Sequence, residues 1–468
     1  MKSFFDKKSL PIIIRAFCVL LCALFILPSV VFADEEENEV SLSEKPLSYL
    51  DNNTFFDFAQ TEAPEIDAGY AMAVNLDTGI VMFEKNPDIL IFPASSVKIM
   101  TAIVVFENVS DLDTVVYATE SAVKASAGTR INPTKPIKAG EGFTVRELLY
   151  GLLVSGANDC ANVLAEYVGG SIDGFCDMMN ERAKELGAKN TTFKNPTGLH
   201  HPEMTTTVRD LAIISSHAFY INELVKMASA TNYTIEATNL TSDRRYLYNR
   251  NRMIRRVEAE ENYFYKGTMG LSSGSTPEGG NCVVAAASRD GLSYLAIVMG
   301  AGGTDKENYA FRDGVELLNR CFDNFSVQKV AGAGVIQCEI PVELAAKVDH
   351  VTLHAAADIT ALLPNDLDTS KDIQLDNRVL SDAKAPVEKG QSFGELVVRY
   401  KGSVTLGTTR LVAGNSIERS NLLYVLDLLT DFFTSRWFIT AVIAAIVLFA
   451  GYCFLYYKAK KRQRRYRR

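Results

Sequence analysis

Apolar and polar positions alternate with a period of two along Gly69-Tyr-Ala-Met-Ala-Val-Asn75 and again along Ile80-Val-Met-Phe-Glu84, with Asp77-Thr-Gly79 between them. That pattern predicts a β-hairpin closed by a tight turn. Beyond it the apolar positions take up helical spacing, and helices are predicted over Ser96 to Asn108, Val145 to Val168, Ile172 to Leu186 and Val208 to Phe219. Strands return at Cys282 to Ser288 and Leu292 to Met299, and a helix from Asn308 to Phe322 closes the region. Strands at both ends with helices between them predict one sheet completed by both ends of the domain, carrying a helical lobe. A second region, about Val330 to Glu418, is rich in β-branched residues and turns, with alternating runs such as Gly394-Glu-Leu-Val-Val-Arg-Tyr400. It reads as a small β domain, and no internal repeat is evident.

The two ends of the chain carry a different pattern. Lys2, Lys7, Lys8 and Arg15 lead into the apolar stretch Ala16 to Leu27, then Pro28 and Val31-Phe32-Ala33, followed by the acidic run Asp34 to Glu37. A positive start, a short apolar core and a small-residue site predict a signal peptide ending at Ala33. An uncleaved anchor helix is the alternative, and the run is short for a membrane span. Trp437 to Tyr457 is uncharged throughout and as a helix would extend about 31 Å, enough to cross a bilayer. Trp437, Tyr452, Tyr456 and Tyr457 stand where interfacial aromatics belong. Lys458 to Arg468 then carries eight positive charges in eleven residues. The positive-inside rule places that tail in the cytoplasm and everything before the span outside.

At 468 residues, 47% hydrophobic and 22% charged, the chain is globular in composition and too long for one ordinary domain. The expected organisation is a signal peptide (1–33), an acidic linker (34–63), a catalytic domain (64–328), a β-rich domain (329–420), a juxtamembrane amphipathic segment (421–436), a transmembrane helix (437–457) and a basic cytoplasmic tail (458–468). With both basic ends set aside, the net charge of −8 becomes about −19 for the external part. That balance argues against nucleic acid as a partner. Five cysteines lie outside the apolar termini, at 160, 176, 282, 321 and 338, without CxxC spacing. They read as small buried residues rather than as disulfides or ligands. The five histidines have no metal-binding spacing, so neither a metal nor any other cofactor is expected.

Candidate chemistry begins at Pro93-Ala94-Ser95-Ser96-Val97-Lys98-Ile99-Met100-Thr101, at the head of an apolar helix. Three residues is about one helical turn, so the Ser95 hydroxyl and the Lys98 amine share a face. A serine hydroxyl needs a neighbour to take its proton. A lysine can do so when burial and nearby positive charge hold it neutral. The helix N-terminus adds backbone N–H groups that favour negative charge at Ser95.

These residues, together with Leu152-Leu-Val-Ser-Gly-Ala-Asn-Asp159, Asn195-Pro-Thr-Gly-Leu199 and Gly274-Ser-Thr-Pro-Glu-Gly-Gly-Asn-Cys282, resemble the D-alanyl-D-alanine carboxypeptidases, the low-molecular-mass penicillin-binding proteins. The resemblance spans roughly Pro64 to Phe325, and the β region and C-terminal anchor match the family layout. It implies an α/β (α+β) fold of the penicillin-binding/β-lactamase-like transpeptidase type, with an antiparallel sheet and a helical lobe, then a small all-β domain and a transmembrane helix. It also implies acylation of Ser95 by the D-Ala-D-Ala end of a peptidoglycan stem peptide, release of D-alanine and hydrolysis of the acyl-enzyme. β-Lactam antibiotics are then expected as covalent inhibitors.

Two of the family's three motifs are altered. Aligning Asn158-Asp159 without a gap puts Gly156 where the family usually has serine, with Ser155 one position earlier. Asn158 is expected to hydrogen-bond the substrate's peptide backbone, while the bridging hydroxyl is lost unless Ser155 swings in. For the third motif, Lys266-Gly267-Thr268 looks like a scrambled K-T-G, whereas the downstream match places Ser272-Ser273-Gly274 there. In the favoured second alignment a serine stands where a cation normally meets the substrate carboxylate, and Lys266 or Arg255-Arg256 are candidates to supply the charge. Asn195-Pro-Thr-Gly198 reads as a structural turn rather than a contact. The altered motifs leave an alternative function, a catalytically impaired pseudoenzyme that binds or organises cell-wall precursors. A β-lactamase of the same fold group is a further reading, against which the β domain and anchor argue.

Overall fold

A computed structural model describes residues 64–465 apart from 258–261, 305–306 and 381. The expected signal peptide and acidic linker, and the last three residues of the basic tail, lie outside the described residues.

The catalytic region is built on a five-stranded antiparallel sheet of order β2-β1-β9-β8-β7. Its strands are β1 (Tyr70–Asn75), β2 (Val81–Lys85), β7 (Thr268–Thr276), β8 (Gly280–Arg289) and β9 (Leu292–Ala301). The sheet joins the first segment of the domain to the last, since β1 pairs with β9 from Tyr70↔Met299 to Asn75↔Tyr294. Successive residues of a strand point to opposite faces, and both faces here are covered. Val283, Ala285 and Ala287 of β8, with Ala296 and Val298 of β9, pack towards helix Tyr309–Asn324. Cys282, Val284 and Ala286, with Leu295, Ile297 and Met299, pack into the helical lobe. This double burial explains why both strands read as continuous apolar runs rather than as alternation.

The lobe centres on α1 (Val97–Asn108), whose residues from Val97 to Val105 are all buried. A helix apolar on every side belongs in the middle of a bundle. The expected helix from Val145 to Val168 is in fact two, α3 (Val145–Val154) and α4 (Asn158–Gly169). Its apolar periodicity is unbroken, but Gly156 takes a left-handed backbone (φ 66°) and Ala157 an extended one. The chain therefore turns at Ser155-Gly156-Ala157 and starts a new helix with Asn158 at its head. The other two expected lobe helices keep their bounds, Ile172–Leu186 and Val208–Phe219, and two short helices, Glu120–Lys124 and Asn222–Ala228, are additional to the expected ones. A short hairpin, β5 (Asn232–Ile235) with β6 (Arg245–Tyr248), packs on α3 through the Tyr150–Tyr233 ring stack at 3.7 Å.

Helix Tyr309–Asn324 runs directly into β10 (Phe325–Ala331) and a region of strands only interrupted by one short helix. Its main sheet has six strands around a separate core that includes Val351, Leu353, Leu396, Val398 and Leu411. Leu362, Leu363 and Tyr400 from this region join the cluster containing Leu317, Leu318 and Cys321, so the two cores meet. Beyond it, helix Asn421–Thr434 leads into helix Arg436–Arg465. Within the latter, Arg436–Lys458 is long and apolar enough to cross a membrane, and none of it is buried against the protein.

Candidate active site

Ser95 lies in a single 3-10 turn, Ala94–Ser96, that opens α1. Ala94 before it has a positive φ of 48°, a strained conformation for a residue with a Cβ. The strain is held by close packing, because Gly198 (φ 81°) lies directly on the Ala94 carbonyl and has no room for a side chain. From the other side β7, the edge strand of the sheet, passes in front of Ser95. A Cβ at Gly274 would collide with the Ser95 Oγ. Ser272 donates its hydroxyl to the Ser95 carbonyl at 2.8 Å. The register of β7 against β8 slips between Gly270 and Ser272, leaving Leu271 as an extra residue. Such a bulge re-aims the residues that follow it, here Ser272, Ser273 and Gly274.

Lys98 is buried, and its Nζ donates to the Thr197 carbonyl. Burial brings its pKa down to about 7, and the positive charge of Arg250 acts in the same direction. The carbonyl that receives it belongs to the Asn195-Pro-Thr-Gly198 turn. This turn is structural, since the Asn195 Oδ1 accepts from the Thr197 and Gly198 amides at 3.1 and 2.8 Å. It is also a contact, which the sequence reading did not anticipate. Thr101, one turn beyond Lys98, donates to the neighbouring Pro196 carbonyl at 2.7 Å and so fixes the same turn to α1.

Asn158, at the head of α4, is buried and donates from Nδ2 to the Ala127 carbonyl at 2.7 Å. Its Oδ1 has no hydrogen-bond partner among the described residues. Ser155 does not swing in. Its hydroxyl folds back onto the Gly151 carbonyl at 2.8 Å as the cap of α3, while Val154 and Gly156 line the pocket instead. The loop opposite is pinned by Asp159, whose carboxylate accepts from the Ile131 amide at 2.8 Å and the Ile137 amide at 3.4 Å.

Among the candidates for the missing cation, Lys266 is exposed in the turn at the start of β7, where Thr268 pairs with Ala287. That is the far end of the strand from Gly274. Arg255 donates to the Asn249 carbonyl at 2.7 Å and lies over Tyr248, and Arg256 lies over Phe264. None of the three lines the pocket. Arg250 does, together with Lys98, Gly156, Ser272 and Ser273, and its guanidinium donates to the Thr129 hydroxyl at 2.9 Å. Arg250 was missed because an arginine between two asparagines, just past a short strand, has no periodicity or motif to mark it. Among the described residues no three of His, Cys, Asp and Glu are grouped to hold a metal ion.

The arrangement pairs a partly buried serine with a lysine held near neutrality, beside a cation and an open strand edge. Comparison with known proteins agrees with that chemistry. Residues 57–303 match the family model of D-alanyl-D-alanine carboxypeptidase, and residues 325–419 match that of the penicillin-binding protein 5 C-terminal domain. D-alanyl-D-alanine carboxypeptidase DacF of Bacillus subtilis is 30% identical over 342 residues, covering 72% of this chain and 83% of the relative. D-alanyl-D-alanine carboxypeptidase DacA of Haemophilus influenzae is 27% identical over 349 residues, with 72% and 82% covered. Among solved structures, penicillin binding protein 5 from Haemophilus influenzae superposes with a TM-score of 0.55 at 25% identity, over 77% of this chain and all of the other.

Proposed function

This chain belongs to the D-alanyl-D-alanine carboxypeptidase family, and from that premise we propose that Ser95 is its nucleophile and Lys98 the base that activates it. The protein is a serine-type D-Ala-D-Ala carboxypeptidase acting on peptidoglycan peptides. Neutral Lys98 removes the Ser95 proton as Oγ attacks the carbonyl of the penultimate D-alanine. The developing oxyanion forms at the N-terminus of α1, where the helix dipole favours negative charge. Lys98 then returns the proton to the departing D-alanine nitrogen as the C–N bond breaks, leaving an ester on Ser95. Water, deprotonated by the same lysine, hydrolyses the ester and regenerates the hydroxyl.

The observation that carries this reading is the buried Lys98, held on the Thr197 carbonyl with its pKa near neutrality one turn from Ser95. With the Ser155 hydroxyl engaged by Gly151, proton traffic falls to Lys98 alone. The open edge of β7 supports antiparallel pairing of the peptide substrate along Ser273 and Gly274. The unpartnered Asn158 Oδ1 supports a role in accepting a substrate N–H. Arg250 takes the position of substrate-carboxylate partner, in place of the serine at 272. Helix Arg436–Lys458 crosses the membrane once, with the basic tail inside and the catalytic domain outside, beside the wall.

Labelling the full-length chain with a fluorescent penicillin, then measuring D-alanine release from a D-Ala-D-Ala peptide, tests this assignment. Labelling abolished in Ser95→Ala, together with catalytic release, supports it. Penicillin trapping without release favours the pseudoenzyme reading, and no labelling at all overturns the nucleophile.

A further inference from the structure

The β5–β6 hairpin has two unlike faces. Cross-strand partners in an antiparallel pair share a face. Tyr233↔Leu247 and Ile235↔Arg245 therefore form the inner one, where Ile235, Leu247 and Arg245 are buried and Tyr233 stacks on Tyr150. The outer face carries Asn232↔Tyr248 and Thr234↔Tyr246. Both outer tyrosines are 57% exposed, and as alternate residues of one strand they stand about 7 Å apart. Two large aromatic rings kept in water, with an amide and a hydroxyl directly across from them, are not needed to stabilise a hairpin already anchored by its inner face. Two neighbouring exposed rings of this kind offer flat apolar faces with polar groups beside them, the chemistry of a binding surface.

We infer that this face, Tyr246 and Tyr248 with Asn232 and Thr234, binds the glycan strand from which the substrate peptide hangs. The inference rests on the carboxypeptidase reading above. Sugar rings present flat C–H faces that pack on aromatic rings, while their hydroxyl and acetamido groups take hydrogen bonds from neutral polar side chains such as Asn232 and Thr234. The hairpin adjoins the site along the chain, because β6 leads straight into Asn249, Arg250 and Asn251, which line one pocket with Lys98, Ser272 and Ser273. Arg255 couples the two, donating to the Asn249 carbonyl at 2.7 Å while lying 5.6 Å from the centre of the Tyr248 ring. Lengths agree as well. Four residues separate Arg250 from Tyr246, at most about 14 Å of extended chain, and a five-residue stem peptide reaches at most about 17 Å. A peptide whose terminal carboxylate meets Arg250 can thus deliver its sugar-bearing end to these tyrosines.

The test compares one D-Ala-D-Ala pentapeptide, free and carried on a short GlcNAc–MurNAc strand, as substrates of the full-length chain in detergent. The expected KM is at least tenfold lower for the glycan-borne peptide. Y246A/Y248A should lose that advantage while turning over the free peptide within twofold of the parent, and Y246F/Y248F should keep it. Equal KM values for the two substrates in the parent, or equal losses on both in the alanine pair, would overturn the inference and leave the carboxypeptidase assignment standing. Should the free peptide not be turned over at all, the catalytic reading fails instead. The glycan face is then judged by direct binding of the peptide-free GlcNAc–MurNAc strand to the parent and to Y246A/Y248A, where absent or unchanged binding rejects it.

Discussion

Gly274 lies so close to Ser95 that a methyl group at 274 would occupy the space of the nucleophile's hydroxyl. The edge strand therefore reaches Ser95 with bare backbone, and under the proposed mechanism this approach lets a peptide paired on β7 present its carbonyl to Oγ. Gly274→Ala is expected to slow acylation by a fluorescent penicillin at least a hundredfold. The added methyl also meets the Ser95 Cβ, so some loss of thermal midpoint is expected beside the loss of acylation, and acylation is compared at a temperature where both proteins are folded. A variant that acylates at the parent rate would show that β7 does not approach Ser95 in this way.

Lys98 makes two pH predictions of opposite practical sign. As a base it must be neutral, so acylation should rise through a transition near pH 7, the value to which burial and Arg250 bring it. In stability the depressed pKa is a penalty. The unfolded chain holds the lysine proton up to about 10.4, whereas the folded chain releases it near 7, so the cost of burial is fully present at and below pH 7 and fades as pH approaches 10. Lys98→Met should abolish acylation, and its stability relative to the parent should be greater at pH 7 than at pH 9.5 in thermal melts. A difference independent of pH would mean that Lys98 is not buried as a reluctant cation.

Arg250 lines the same pocket as Lys98 and is the proposed partner of the substrate carboxylate. Charge-assisted hydrogen bonds to a carboxylate contribute roughly 1.5–3 kcal/mol, and Arg250 is exposed enough for the lower end to apply. Arg250→Leu should raise KM for a D-Ala-D-Ala peptide about tenfold. Methyl-esterifying the peptide's C-terminus should raise KM in the parent and add little in the variant. Additive losses would assign the carboxylate to another group.

The buried ion pair between β6 and Glu141 gives a further stability test. Arg245 and Glu141 are both fully buried, 2.8 Å apart, and Arg245 also donates to the Lys135 carbonyl. Burial alone would raise the Glu141 pKa, but hydrogen bonds from Thr238, Arg245 and the Lys138 amide outweigh it and hold the carboxyl below its ordinary value. Glu141→Leu leaves the guanidinium buried without its partner, a loss of about 3–5 kcal/mol. Replacing both residues, Glu141→Leu with Arg245→Met, should be less damaging than Glu141→Leu alone in urea unfolding; a double variant as unstable as the sum of the singles would refute this.

Much of this was legible in the chain before any coordinates. The hairpin, four of the long helices and the two strands after Gly280 follow from local periodicity, and the candidate Ser95–Lys98 pair from three-residue spacing, which a sequence records directly. The break at Gly156 was hidden because the apolar pattern of α3 continues in phase through α4, and only the backbone angle reveals the turn. The choice of Gly274 over Gly267 as the glycine facing Ser95 followed from downstream residues, and the collision geometry agrees with it. Arg250, Thr197 and Thr101 were not legible. Each acts through a long-range contact, and Thr197 acts through its carbonyl, a group every residue shares.

Thr101 illustrates how such a residue can be tested. It is fully buried, and its hydroxyl donates to the Pro196 carbonyl at 2.7 Å, holding the turn whose next carbonyl receives Lys98. It does not itself line the pocket, so its proposed role is to position the acceptor that holds Lys98. Thr101→Val keeps the shape, removes the donor and leaves a buried carbonyl unpaired, at a cost of about 1–3 kcal/mol. Released from its partner, the turn should let Lys98 reorient, lowering kcat for D-alanine release about tenfold and moving the transition near pH 7, with KM nearly unchanged. Thr101→Ser, which restores the hydroxyl, should recover both the rate and the pH profile. A valine variant that loses stability while keeping the parent's kcat and pH transition would reduce Thr101 to packing alone.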